Sequence, residues 1–192
     1  MVLGMGVLAG CATTTVYKTE PEPGFKSENI HKVMIISLSK RTDVRLAVED
    51  EFVRQWKKRG VQAVASHDAL PFGTPLEKTH VAPVAKQQGF DSVLVSRLLG
   101  VQKIDPNIRN QEFDVESSSA AGKLDDYFDA VVASPQYAQN YQLAAVTANL
   151  YQVSTEKKVW SATTQTLVEQ DLPKQIGEYV SVVLKTLYKS EK

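Results

Sequence analysis

Short apolar runs alternate with helical periodicities over residues 32–104. The first run, 32–38 (KVMIISL), is continuous, as expected for a strand buried on both faces of a sheet. Residues 42–59 then place apolar side chains at helical spacing and end in basic residues before Gly60, which predicts an amphipathic helix with Thr42 as its N-cap. The members of its apolar stripe are Val44, Ala47, Val48, Phe52, Val53 and Trp56.

Two further runs, 61–65 and 92–103, predict the second and third strands. A helix is expected between them from about residue 77 to 88, ended by Gly89, although Pro83 leaves open that it is split in two. The resulting order βαβαβ has short connections. It favours a parallel core with right-handed crossovers.

The C-terminal part follows a different pattern. Residues 141–154 and 158–168 read as two strands joined by a short turn at 155–157, which is typical of a β-hairpin. A C-terminal amphipathic helix comes next and is expected to cover one sheet face. Its apolar positions are Leu172, Ile176, Tyr179, Val180, Val183, Leu184 and Leu187. The fold class is therefore α/β: a three-layer-like βαβαβ core, a hairpin and a terminal helix on a mixed sheet.

The N-terminus is apolar and uncharged over residues 1–10, directly before Cys11, the single cysteine of the chain. Ten residues are too few to cross a bilayer, which needs about 20 in a helix, and they suit the apolar part of a signal peptide. Because such a signal opens with Lys or Arg and the first basic residue here is Lys18, we interpret residues 1–10 as a signal-peptide remnant. The alternative is a frayed apolar terminus with a buried thiol.

Leu8-Ala9-Gly10-Cys11 resembles the lipobox of bacterial lipoproteins. The resemblance implies removal of residues 1–10 and acylation of Cys11, with palmitate among the attached chains. Ala12 is not the Asp that acts as a sorting signal, which in Gram-negative relatives implies the periplasmic face of the outer membrane. Two or more acyl chains hold a protein stably at a membrane.

Residues 11–31 are rich in Thr, Glu and Pro and predict a lipid-anchored linker before a single domain over 32–192. That domain resembles the small α/β domains of several envelope proteins, in element order and in the phrase TANLYQVSTEKKVWSA (147–162). They are the N-terminal domain of the Tol-system β-propeller protein, the curli-secretion lipoprotein and the lipoprotein that activates a penicillin-binding protein. These relatives bind proteins, oligomerise or scaffold, which implies a similar role here.

The charge balance and the motifs of the sequence argue against several classes of function. The 192 residues carry 22 Lys and Arg against 22 Asp and Glu, so the basic excess of a nucleic-acid-binding protein is missing. His31, His67 and His80 are far apart in sequence and are interpreted as solvated loop residues, so we expect no metal site and no cofactor. The sequence contains no phosphate-binding or nucleophile motif, which favours a non-enzymatic protein.

One polar cluster supports a rival hypothesis. Ser66, His67 and Asp68 follow the second predicted strand, and ligands of parallel sheets bind near such strand ends. The alternative function is therefore a hydrolase or a small-ligand binder that uses this loop. Adjacent residues do not readily form a catalytic triad, however, and Ser66 and Asp68 are expected to stabilise the turn instead.

A long insertion, about 104–140, separates the third strand from the hairpin, and loops of this length are often functional. Its aromatic residues are candidates for partner binding, because aromatic side chains are enriched at interfaces. These candidates are Phe113, Tyr127, Phe128 and Tyr137. An equal alternative is that the segment packs back on the sheet as a local core or an extra strand, through Tyr127, Phe128, Val131 and Val132. The preferred hypothesis is a lipid-anchored periplasmic module that binds or scaffolds envelope proteins, with homo-oligomerisation as a further option.

Overall fold

The computed structural model describes residues 14–39, 41–104, 141–167 and 171–190. Its helices are α1 (Thr42–Lys57), the short α2 (Ser66–Ala69), α3 (Lys78–Gln87) and α4 (Leu172–Lys189). Its strands are β1 (Thr14–Pro21), β2 (Lys32–Leu38), β3 (Gln62–Ala65), β4 (Ser92–Ile104), β5 (Tyr141–Gln152) and β6 (Lys158–Leu167). A 3-10 turn, Ser27–Asn29, lies between β1 and β2.

In the described residues these strands form one mixed sheet in the order β1-β6-β5-β4-β2-β3. β2 is parallel to both β3 and β4, as the βαβαβ pattern predicted. β4, β5, β6 and β1 then pair antiparallel in succession, and the β5–β6 hairpin is also as predicted. The α/β class with a mixed sheet is confirmed.

Helices cover the sheet on both sides. α1 and α4 pack on one face, where Phe52 and Trp56 of α1 meet Val180 and Leu184 of α4 in the larger core. α2 and α3 pack on the other face over the parallel strands, with Val81 and Ala85 among the buried residues there. The molecule therefore has three layers, and burying each large apolar side chain contributes about 1.5–3 kcal/mol to stability.

Two of the predicted helices are followed by a glycine whose backbone lies in the left-handed region of φ. Gly60 (φ 80°) follows α1 and Gly89 (φ 71°) follows α3. The next amide in each case bonds back five residues, Val61 N–H to the Trp56 carbonyl at 3.3 Å and Phe90 N–H to the Ala85 carbonyl at 3.0 Å. This pattern ends a helix and favours glycine, which has no Cβ to clash at positive φ.

Two local predictions need correction, and the alternative left open at Pro83 is excluded. Thr42 is the first residue of α1, and the N-cap position belongs to Arg41, whose side chain bonds Asp43. Pro83 does not split α3, which runs through it with the proline exposed. Ala47 is exposed and is not part of the buried stripe, because it lies outside the arc that faces the sheet.

The largest correction concerns the linker. Residues 14–21, expected to belong to a flexible tether, form β1 and pair with β6 from Thr14 opposite Thr166 to Pro21 opposite Trp160. Thr14 is buried, and its hydroxyl lies 3.0 Å from that of Thr166. The β-branched residues of this segment favour a β-strand. The composition of the segment does not reveal this preference, because Pro and Glu residues are present in the same stretch.

Candidate functional site

A buried carboxylate organises the region where β2 and β3 end. Glu49 lies on the inner side of α1 and has no exposed surface. It accepts hydrogen bonds from the Ser37 amide (3.0 Å), the Ser66 hydroxyl (2.8 Å) and the Arg45 guanidinium (3.2 Å). The ring nitrogen Nδ1 of His67 lies 2.9 Å from the same carboxylate. Glu49 thus joins α1 to the end of β2 and to α2.

The charge of this carboxylate is balanced within the cluster. Arg45 is one helical turn before Glu49 and contacts it directly, and its Nη2 also donates to the Ser66 hydroxyl at 3.0 Å. The second ring nitrogen of His67, Nε2, lies 3.3 Å from Asp50 Oδ1 and 3.8 Å from Asp68 Oδ1. Charge-assisted hydrogen bonds of this kind are shorter and stronger than neutral ones, and removing one partner would leave an uncompensated buried charge.

The geometry differs from that of a serine nucleophile and its base. In a catalytic triad the serine hydroxyl donates to the imidazole, and the carboxylate contacts the far side of the ring. Here the Ser66 hydroxyl donates to Glu49, and the serine is fully buried.

Ser66, His67 and Asp68 were expected in a loop, but they are the first residues of α2. His67 is a half-buried member of the Glu49 cluster and not a solvated loop histidine. Ser66 bonds side chains of α1 and not the nearby turn.

A cavity of about 370 Å³ lies between α3 and the sheet. Its lining is mainly apolar and includes Ile36, Leu38, Leu76, Val81, Ala85 and Val95. Glu156, in the β5–β6 turn at its rim, contacts Lys78 at 2.7 Å and Lys86 at 2.6 Å. These two ammonium groups lower the pKa of Glu156 to about 2. The ion pairs tie α3 to the hairpin across the rim.

A smaller cavity, about 60 Å³, lies between α1 and the start of α4. Its lining includes Val44, Val48, Ile176 and the hydrogen-bonded pair Ser96 and Tyr179. Gln175 also borders it, and its side-chain amide donates to the Leu167 carbonyl at 2.7 Å. Within the described residues, the Gln175 Oε1 atom has no hydrogen-bond partner. The space is sufficient for a few water molecules.

The sequence candidates for anchorage and partner binding lie outside the described residues. They are Cys11, Phe113, Tyr127, Phe128 and Tyr137. Among the described residues, the large apolar side chains that are exposed are Val16, Tyr17 and Phe72. The first two lie on β1, a segment that the sequence pattern predicted to be part of a linker.

Solved structures share this fold. The PelC dodecamer from Paraburkholderia phytofirmans matches with 15% identity and a TM-score of 0.52, covering 91% of this chain and 97% of that one. The dodecamer of a PelC variant from the same organism, in another crystal form, gives 15% identity, a TM-score of 0.52, and coverage of 91% and 98%. Lipoprotein GNA1162 from Neisseria meningitidis is a more distant match, with 11% identity, a TM-score of 0.46, and coverage of 83% and 99%. At 15% identity, the likeness to PelC shows the fold alone.

Comparison with family models and with curated proteins gave no match. The fold likeness to PelC covers most of this chain. No helix within the described ranges has the length and hydropathy to span a bilayer. In the same ranges, no group of three or more His, Cys, Asp and Glu side chains has an arrangement that could hold a metal ion.

Proposed function

We propose that this chain is a lipid-anchored module of the bacterial envelope that binds or scaffolds other proteins without catalysis. The observation that carries the proposal is the position of the lipobox-like Leu8–Cys11 directly before β1, at the start of a fold shared with the PelC dodecamer. Acylated Cys11 would hold the domain at the periplasmic face of the outer membrane, the location expected when Ala12 and not Asp follows the cysteine.

The absence of catalysis is part of the proposal. The strongest polar cluster of the described residues, around Glu49, uses its serine, histidine and arginine to join α1, β2 and α2. The Ser66 hydroxyl is buried and donates to a carboxylate, so it is poorly placed to attack a substrate. This arrangement supports a stabilising role for Ser66 and His67.

Homo-oligomerisation is the form of scaffolding that we favour. PelC, whose fold this chain shares, was solved as a dodecamer. The 192-residue chain has a formal net charge of zero, so no overall charge repulsion between copies opposes association. Native mass spectrometry of the detergent-extracted protein measures this directly. A defined species of several copies is expected, and a monomer across micromolar concentrations contradicts it.

Labelled palmitate tests the anchor. The full chain is expressed in a Gram-negative host behind a complete signal peptide, with Cys11→Ala as the matched control. We expect label in the membrane fraction for the parent and none for the variant. Absence of label from the parent protein contradicts the anchored location, whereas equal label in both contradicts the assignment to Cys11.

A further inference from the structure

β1 combines an exposed apolar patch with an edge position in the sheet. Val16 is 40% exposed and Tyr17 is 49% exposed. The register of β1 against β6 shifts between Val16 and Lys18, so Tyr17 occupies a bulge. The patch formed by Val16 and Tyr17 is called the β1 patch below.

The β1 patch is close to the anchoring cysteine along the chain. Residues 12 and 13 separate Cys11 from Thr14. At 3.3–3.6 Å per residue, the Cα atoms of Cys11 and Thr14 are at most about 11 Å apart. Thr14 is itself fixed in the sheet by its buried hydroxyl contact with Thr166. An acylated Cys11 therefore leaves the domain almost no freedom to move away from the membrane.

We propose that the β1 patch rests in the interfacial region of a lipid bilayer, so that this sheet edge faces the membrane. The inference depends on the proposed acylation of Cys11. A tyrosine ring is apolar with a polar hydroxyl at its tip, and such side chains are enriched at the boundary between headgroups and acyl chains. Val16 supplies apolar contact beside it.

The edge is poorly suited to the rival occupant, a strand from a second copy. Bulges and charged side chains on an edge strand discourage pairing with another strand. β1 has its bulge at Tyr17, and the adjoining Lys18 and Glu20 form an ion pair at 2.8 Å. Glu20 also accepts a hydrogen bond from Ser161 at 3.2 Å, which holds these charges along the strand.

Tryptophan fluorescence in vesicles tests the proposal. The full chain carrying Tyr17→Trp is coupled through its single thiol, Cys11, to a maleimide lipid in phosphatidylethanolamine–phosphatidylglycerol vesicles containing dibrominated phosphatidylcholine. Glu28→Trp is the matched control, because Glu28 is exposed in the 3-10 turn at the opposite end of β1. The native Trp56 and Trp160 are fully buried and contribute equally to both variants.

We expect a blue-shifted emission and strong quenching by the brominated lipid for Tyr17→Trp, with neither effect for Glu28→Trp. Equal quenching of the two variants, or quenching of neither, overturns the proposal. A blue shift of the Tyr17→Trp emission that depends on protein concentration and not on vesicles assigns the β1 patch to contact with a second copy. That result also overturns the proposal. Because chemical coupling replaces cellular acylation, failure here is distinct from a negative palmitate result.

Discussion

The hydroxyl groups of Ser96 and Tyr179 lie 2.7 Å apart in the protein interior and connect the middle of β4 to α4. Both residues are buried, and the Tyr179 ring packs edge-on against Phe52 of α1 at 5.8 Å between centroids. This one side chain therefore contacts all the main components of the larger core: the sheet and both helices of that layer.

Tyr179 is expected to make stability fall at high pH. Burial raises the pKa of its phenol above the ordinary value of 10.0, so the unfolded chain ionises first. The contribution of the buried Tyr179 phenol to the free energy of unfolding is complete below pH 10 and is lost as the pH rises above that value. Urea unfolding of the parent and of Tyr179→Phe between pH 8 and 11 measures this. The variant should lose about 1 kcal/mol at pH 8 and show a smaller decline at alkaline pH. Parallel declines in the two proteins contradict the assignment.

Glu49→Ala should be among the most destabilising single substitutions on α1. It removes the acceptor shared by the Ser37 amide, Ser66, Arg45 and His67, and breaking a buried ion pair typically costs about 3–5 kcal/mol. Asp50→Ala is the matched control at the next position, where the carboxylate is mostly exposed. Urea unfolding at pH 7 gives both values. A similar small effect of the two substitutions contradicts the central role of Glu49.

Glu156 is expected to stabilise the folded protein at neutral pH and to lose this stabilising effect in acid. Contacts with Lys78 and Lys86 hold its pKa at about 2, below the ordinary value of 4.5. The contribution is therefore complete above pH 4.5 and is lost as pH falls toward 2. Glu156→Gln should lower the urea midpoint at pH 7 and match the parent near pH 2. The difference should also shrink in 1 M salt, because exposed ion pairs are screened. Glu28→Gln, at another exposed ion pair, is the control.

Trypsin cleavage distinguishes an integrated β1 from a tether. The bond after Lys18 lies within a strand that pairs with β6, so cutting there requires local unfolding. We expect cleavage after Lys18 in the folded protein to be much slower than in the urea-unfolded chain. Thr166→Pro, which places a proline opposite Thr14, should accelerate it. Rapid cleavage of the parent at Lys18 contradicts the integration of β1.

Strong periodic patterns predicted most of the fold. The stripe Val44, Val48, Phe52 and Trp56 is buried as expected, and so are the α4 positions from Ile176 to Leu187 that carry the helical repeat. Such patterns follow from local geometry, because a side chain every three or four residues faces the same side of a helix. The runs at 92–103 and 158–168 also coincide closely with β4 and β6.

Features that depend on distant partners were not predictable in the same way. β1 has no strong pattern of its own, and it is a strand because β6, far along the chain, offers a paired edge. Glu49 was missed because a charged residue beside Val48 reads as part of the solvent face. A signal did exist: Glu49 lies one helical turn after Arg45 and between the buried positions Val48 and Phe52. The donors from Ser37 and Ser66 are visible only in three dimensions.

The pairing of β1 with β6 has a consequence for the order of folding. Thr14 contacts Thr166 across a sequence separation of 152 residues, so β1 cannot pair with β6 until a much later part of the chain has been synthesised. Contacts between such distant residues cost loop-closure entropy before they form, and they tend to form late. The parallel strands β2, β3 and β4 all lie within residues 32–104, so they can pair with one another before β6 has been synthesised. A nascent chain would therefore hold an incomplete sheet until the C-terminal hairpin has been synthesised.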